Sequence, residues 1–306
     1  MAIFYFLIFP GFIFTAVVGL LASWIDRKVT ARVQWRKGPP ILQPLYDIVK
    51  LMGKETIVPK GSSRLTFLLS PLFGLAAAII VSTLLWRTII SPNTTFLGDL
   101  IVVLYLLTIP ALAVIMGGFA SRNPLASLGA SREMKLILAY ELPFVLVAFI
   151  PVIKAGTIRI GEILIYQLNN GIVVGSLSGM IGFLVAILCM QAKLTLVPFD
   201  MPEAETEIMA GTYIEYSGTP LAVYKLTRAM MLFVLPIFLV TLFMGGIIFS
   251  GWHTLWGILK YVLLLVIIVL IRNTAPRVRI DQAVKFFWGP MTGLAVLGII
   301  LALFGR

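Results

Sequence analysis

Residues 229–249 read AMMLFVLPIFLVTLFMGGIIF, twenty-one residues without a charge. At about 1.5 Å per residue, a helix of that length reaches about 30 Å, the thickness of a bilayer's hydrocarbon core. Closed barrels are the other structure that satisfies every backbone group in lipid, but they need period-2 alternation, which is absent here. Working outward, comparable apolar stretches occur at 3–24, 67–86, 96–119, 136–153, 171–190, 255–271 and 284–304. The expectation is an all-α polytopic membrane protein with eight transmembrane helices, forming a single transmembrane domain over residues 1–306. Composition agrees: 60% of the 306 residues are hydrophobic and 12% are charged, against roughly 45–50% and 25% in soluble domains. No basic residue precedes the first stretch and no small-residue cleavage site follows it, so it reads as a retained anchor and not a signal peptide.

The formal net charge is +11, from 24 Lys+Arg and 13 Asp+Glu. Sorted by loop, nineteen basic residues follow stretches one, three, five and seven, with Lys285 counted in the last group. Four follow the even stretches or close the chain (Arg87, Lys154, Arg159 and Arg306), and Lys260 lies inside the seventh. This asymmetry predicts cytoplasmic odd loops and both termini outside. The basic excess is therefore topological, and no nucleic acid is expected as a partner. One Cys (Cys189) and one His (His253) exclude an iron–sulfur cluster, a bis-His haem and a Cys/His zinc site in this chain. No cofactor is expected here, and any redox metal belongs to another subunit.

Loop 1, about 25–66, is strongly basic. Within it Leu45, Ile48, Val49 and Met52 fall at helical spacing, with Pro44 suited to a first turn and Gly53 to a stop. An amphipathic surface helix is expected, and two roles stay open for it: attraction to anionic lipid, or a collar for a peripheral subunit. Loop 5, about 191–228, breaks the charge rule. Asp200, Glu203, Glu205, Glu207 and Glu215, five of the thirteen acids, fall within sixteen residues on the side where basic residues are expected. Asp200 and Glu203 have capping-box spacing, and Gly211 suits a stop. A helix between them would place Glu203 and Glu207 on one face, where like charges repel. Because apolar residues interleave the acids, the expectation is a partly buried carboxylate cluster able to exchange protons.

Glu141 lies about five residues inside its stretch, roughly 7–8 Å from the cytoplasmic end. An acid at that depth costs a few kcal/mol by insertion scales, so a functional role is the default. Pro143 beside it leaves a carbonyl one turn earlier without its usual partner. Arg228 and Lys260 are its candidate charge partners.

Three groups of motifs carry a family resemblance. Asp26-Arg27-Lys28, Arg36-Lys37-Gly38-Pro39, Leu42-Gln43-Pro44, Asp47, Lys50-Leu51 and Lys54-Glu55 resemble the first loop of one membrane subunit of respiratory complex I, the one designated 1 or H. Pro198-Phe199-Asp200-Met201-Pro202-Glu203-Ala204-Glu205, with Gly211 and Glu215-Tyr216-Ser217-Gly218, resembles its acidic fifth loop, and Tyr140-Glu141 resembles its intramembrane glutamate. Two departures stand out. Pro39-Pro40-Ile41 runs straight into Leu42-Gln43-Pro44 with no Gly-Pro-Gly insertion, and Asp26 stands where Glu is usual. Together with Arg132-Glu133-Met134 they look more like the membrane-bound [NiFe] hydrogenases and related ferredoxin-driven complexes.

The resemblance implies a non-catalytic anchor and coupling subunit, multi-pass in a prokaryotic plasma membrane. Arg27, Arg32, Arg36, Lys37, Asp47 and Lys50 would dock the peripheral arm. The loop 5 acids and Glu141 would carry the coupling to antiporter-like membrane subunits. Partners would be hydrogenase-like large and small subunits, with the iron–sulfur clusters and, in hydrogenases, a nickel–iron site. A sulfur-reducing relative, or a quinone oxidoreductase with a quinone cavity, would share this subunit's architecture.

Overall fold

The computed structural model describes residues 2–249 and 251–305. Among them the chain is helical, with no strand. Helix α1 (Ala2–Leu7) breaks before Pro10, and α2 (Phe12–Val33) follows. The α2 helix runs past its apolar part, so Asp26, Arg27 and Arg32 ride on an extension of it. Loop 1 contains the expected amphipathic helix, α3 (Gln43–Met52), with Pro44 in its first turn and Gly53 at its end. Only Pro44 and Ile48 turn inward; Leu45, Val49 and Met52 stay uncovered.

Helix α4 (Arg64–Ile90) precedes α5 (Asp99–Leu106) and α6 (Ile109–Ala120). The single 96–119 helix expected from the sequence is therefore split at Leu107–Thr108. The physical reason is Pro110, which has no N–H to continue the ladder. Helix α7 (Pro124–Ala155) has 32 residues with Pro143 and Pro151 inside it. At about 48 Å it outruns the apolar stretch 136–153 and carries residues 124–135 beyond it. Then come α8 (Ile160–Asn170), α9 (Leu177–Lys193), the four-residue α10 (Glu205–Ile208), α11 (Gly218–Phe243), α12 (Trp252–Thr274), α13 (Ile280–Phe286) and α14 (Thr292–Leu303). A π-type turn around Pro290 joins the last two.

Seven of these segments are long and apolar enough to cross a membrane. The fifth expected span is shorter: Gly171, at φ +95°, and a 3-10 turn consume its N-terminal part. That leaves the 17 residues of α9, about 25 Å. Arg306, counted among the outer charges, lies outside the described residues. Helix α11 packs on α2, α4 and α12, and its part from Ala229 to Phe243, apolar on every side, is wholly buried, as an all-round apolar segment requires. On its other side α7, α9 and α14 pack together. Loop 5 crosses the same end of both groups.

Candidate functional site: a charged track from loop 5 into helix α7

The α9 helix ends at Lys193, and Thr195 turns the chain at φ +49°. The Gln191 amide fastens this turn, donating to the carbonyls of Val197 at 2.7 Å and Ile268 at 3.4 Å. Phe199 packs on Phe287 with ring centroids 4.8 Å apart, and the Val278 N–H donates to the Pro198 carbonyl. The expected capping box is not formed, because the amides of Glu203 and Ala204 are taken by the Asp200 backbone carbonyl. The short helix begins at Glu205, so Glu203 and Glu207 do not share its face. It ends in three successive residues at positive φ, Met209, Ala210 and Gly211. A side chain at Gly211 would put Cβ 2.0 Å from the Pro202 carbonyl oxygen, so glycine is required there. Gly129 on α7 lets the backbones of Pro202 and Thr212 approach closely as well.

This path divides the acids: Asp200, Glu203 and Glu205 line one cavity, Asp200 and Glu203 on different partners, whereas Glu207 and Glu215 turn toward α7. Glu203 accepts from Arg228 at 2.6 and 2.8 Å and from the Thr195 hydroxyl at 3.2 Å. Asp200, buried, pairs with Arg277 at 2.7 Å. Burial raises its carboxyl above the usual value, against the opposing charge of Arg277. Glu207 meets Arg132 at 2.6 Å at the exposed surface, and Glu215 accepts from the Asn123 amide at 2.5 Å. Glu205 is exposed at the rim.

Loop 1 and loop 5 enclose a cavity of about 700 Å³. Its wall carries three ion pairs, Asp26–Arg272 at 2.6 Å, Asp200–Arg277 and Glu203–Arg228. Arg27, Arg36 and Lys37 also line it. Arg27 pairs with Asp47 at 2.6 Å, and Gln43 donates to the same carboxylate at 2.9 Å. Burial alone would raise Asp47, but the hydrogen bonds from Arg27 and Gln43 hold it below its ordinary value. Arg32 and Lys50 lie toward solvent, outside this wall. The Trp24 indole donates to the Pro39 carbonyl at 3.1 Å, folding the 36–39 segment back on α2.

A second cavity of about 60 Å³ lies behind the first. Leu194, Thr195, Glu203 and Arg228 line both, so the Glu203–Arg228 pair is the partition between them. On the inner side stand Glu133 and Lys193. Lys193, its side chain 1% exposed, pairs with Glu141 at 2.8 Å. Its ammonium also lies 4.8 Å from the Phe144 ring centroid and 5.3 Å from that of Tyr140, within cation–π range.

Neither expected partner of Glu141 holds it. Arg228 is committed to Glu203, and Lys260 donates to the Met244 carbonyl at 2.6 Å. Met244 is sixteen residues along from Arg228, about 24 Å by helical rise, at the opposite end of α11.

Two residues of this track are not conspicuous in the sequence. Lys193 reads there as one more topological charge of loop 5. Glu133 sits between Arg132 and Lys135 and looks like part of a solvated charged run. Its signal is position: it precedes Glu141 by eight residues, a little over two turns of one helix. Among the described residues, no group of three or more His, Cys, Asp or Glu could hold a metal ion.

A family model described as NADH dehydrogenase matches residues 5–303. The H subunit of the NADH-quinone oxidoreductase of Thermomicrobium roseum is 35% identical, over 94% of this chain and 92% of its own length. The corresponding protein of Geobacillus thermodenitrificans is 31% identical, over 96% and 90%. Among solved structures, a chain from the membrane-bound sulfane sulfur reductase, an archaeal respiratory membrane complex, superposes with a TM-score of 0.87 at 31% identity. That match covers 95% of this chain and 96% of the other. The chain belongs to the NADH dehydrogenase family of membrane subunits, typified by the H subunit of NADH-quinone oxidoreductase.

Proposed function

We propose that this chain is the membrane anchor and coupling subunit of a complex I-like, ferredoxin-driven oxidoreductase of the membrane-bound [NiFe] hydrogenase type, in a prokaryotic plasma membrane. In this reading α9 completes an eight-span arrangement with both termini outside. Loops 1 and 5 seat hydrogenase-like large and small subunits, which carry the iron–sulfur clusters and the nickel–iron site. Antiporter-like subunits receive the coupling.

The observation that carries the reading is the track itself. Charged groups run from a cavity between the two loops, through the Glu203–Arg228 pair, to Glu133 and Lys193 and so to Glu141. A charge change at the mouth of such a track alters proton affinity at the next group, because low-dielectric surroundings screen it weakly. Glu141→Gln and Glu203→Gln should leave the complex assembled, with electron flow no longer driving ion uptake into sealed vesicles. Unchanged uptake in both variants would refute the reading.

A second reading is favoured by the superposition on the sulfane sulfur reductase: the same subunit in a sulfur-reducing complex. Purified complex given reduced ferredoxin decides between them, by hydrogen evolution or by sulfane sulfur reduction.

A further inference from the structure

Glu133 is 1% exposed, and its Oε2 has no hydrogen-bond partner. It faces the inner cavity, as does Thr212, also 1% exposed, whose Oγ1 is likewise unpartnered. A buried, unpaired polar group is costly unless something in the cavity bonds to it. At about 60 Å³ the cavity has room for about two water molecules.

The surrounding charges say which form of the acid belongs there. Lys193 from α9 is committed to Glu141, and Arg228 from α11 to Glu203. Tyr213 from loop 5 and Tyr224 from α11 share the cavity wall, and Tyr140 stands on the same helix. Among the described residues Glu133 has no ion-pair partner, since the two cations of its cavity are already claimed. A sodium ion there would sit beside two fixed cations, Lys193 and Arg228. A proton neutralises the carboxylate and adds no such repulsion.

We infer that Glu133 is a proton-holding relay residue, joined through water in the inner cavity to Glu203 on one side and the Lys193–Glu141 pair on the other. The step is a simple transfer. A proton entering past Glu203 is carried by water to the Glu133 carboxylate, and leaves it by the same water to Lys193, whose ammonium passes a proton on to Glu141. Only O–H and N–H bonds form and break. The role deepens the coupling function proposed above and rests on it.

The test uses the whole complex in sealed vesicles, with Glu133→Gln, Glu133→Asp and the cavity-filling Ala111→Leu, since Ala111 lines the same space. Glu133→Gln and Ala111→Leu should each lower proton uptake per electron by at least about tenfold, while Glu133→Asp retains most of it. Infrared difference spectra should show a deuterium-sensitive carboxylic C=O band that Glu133→Gln removes and Glu141→Gln keeps. Normal uptake in both Glu133→Gln and Ala111→Leu, with Glu141→Gln defective, would overturn the relay and leave the coupling function standing. Normal uptake in Glu141→Gln and Glu203→Gln as well would instead overturn that function. A C=O band that survives in Glu133→Gln refutes the proton assignment in either case. If Glu133→Gln does not assemble, Ala111→Leu decides, with Ala111→Val as its milder form.

Discussion

At the residue scale, the Lys193–Glu141 pair sets the charge balance deep in the protein. Burying the ammonium is tolerable only because a carboxylate 2.8 Å away and two aromatic faces replace its water. Removing one partner strands the other, which typically costs about 3–5 kcal/mol for a buried pair. The Glu141 side chain is 25% exposed, so Lys193→Met should cost about 2–4 kcal/mol in thermal unfolding of the purified complex. The double variant with Glu141→Gln should recover most of that loss. Strictly additive losses would show that the pair contributes nothing. Gly211→Ala tests the neighbouring loop: its φ of +49° and the crowding Pro202 oxygen imply a cost of about 1–3 kcal/mol from the backbone alone. A variant with unchanged melting would place Pro202 elsewhere.

At the scale of elements, the Asp47–Arg27 pair ties α3 to α2. Asp47 has its pKa lowered in the folded protein by Arg27 and Gln43. The sign follows: this stabilisation is complete above the ordinary Asp value and is lost as pH falls through the lowered one. Protection factors of the α3 amides should therefore be flat from neutral pH down to about 4 and fall only below it. Asp47→Asn should exchange faster at neutral pH and show no acid step. An identical acid step in Asp47→Asn would assign it to another group. Loop 5 is held to α7 by a different means, the close approach that Gly129 permits. Gly129→Leu should push the loop off α7 and raise proteolysis after Arg132, while leaving the apolar helix bundle intact. Resistance equal to the parent would show that the contact is dispensable.

At the scale of the molecule, loops far apart in sequence meet over the ends of α2, α11 and α12 and enclose one charged cavity. Three ion pairs and additional cations face it, a poor match for a quinone ring, which favours an apolar pocket with few polar anchors. Quinone-site inhibitors should leave electron transfer by the whole complex unchanged. Inhibition relieved by variants at Arg36 or Lys37 would instead place a quinone in this cavity. Leu45, Val49 and Met52 of α3 stay uncovered at the same end of the molecule.

The sequence by itself determined what depends on local composition and period. Long uncharged stretches had to become helices, Leu45 to Met52 had to form an amphipathic helix, and Glu141 was conspicuous because an acid in an apolar run has few benign explanations. Only the tertiary structure decided who pairs with whom. Loop 5 reads as one acidic cluster because its acids are neighbours in the chain. Three positive-φ residues and the packing on α7 disperse them toward Arg228, Arg132, Arg277 and Asn123. Lys193 and Glu133 are hidden for the opposite reason: each looks like an ordinary interfacial charge until α7, α9 and α11 close around it. Helix formation is a property of a segment, but the burial of a charge depends on every element that surrounds it.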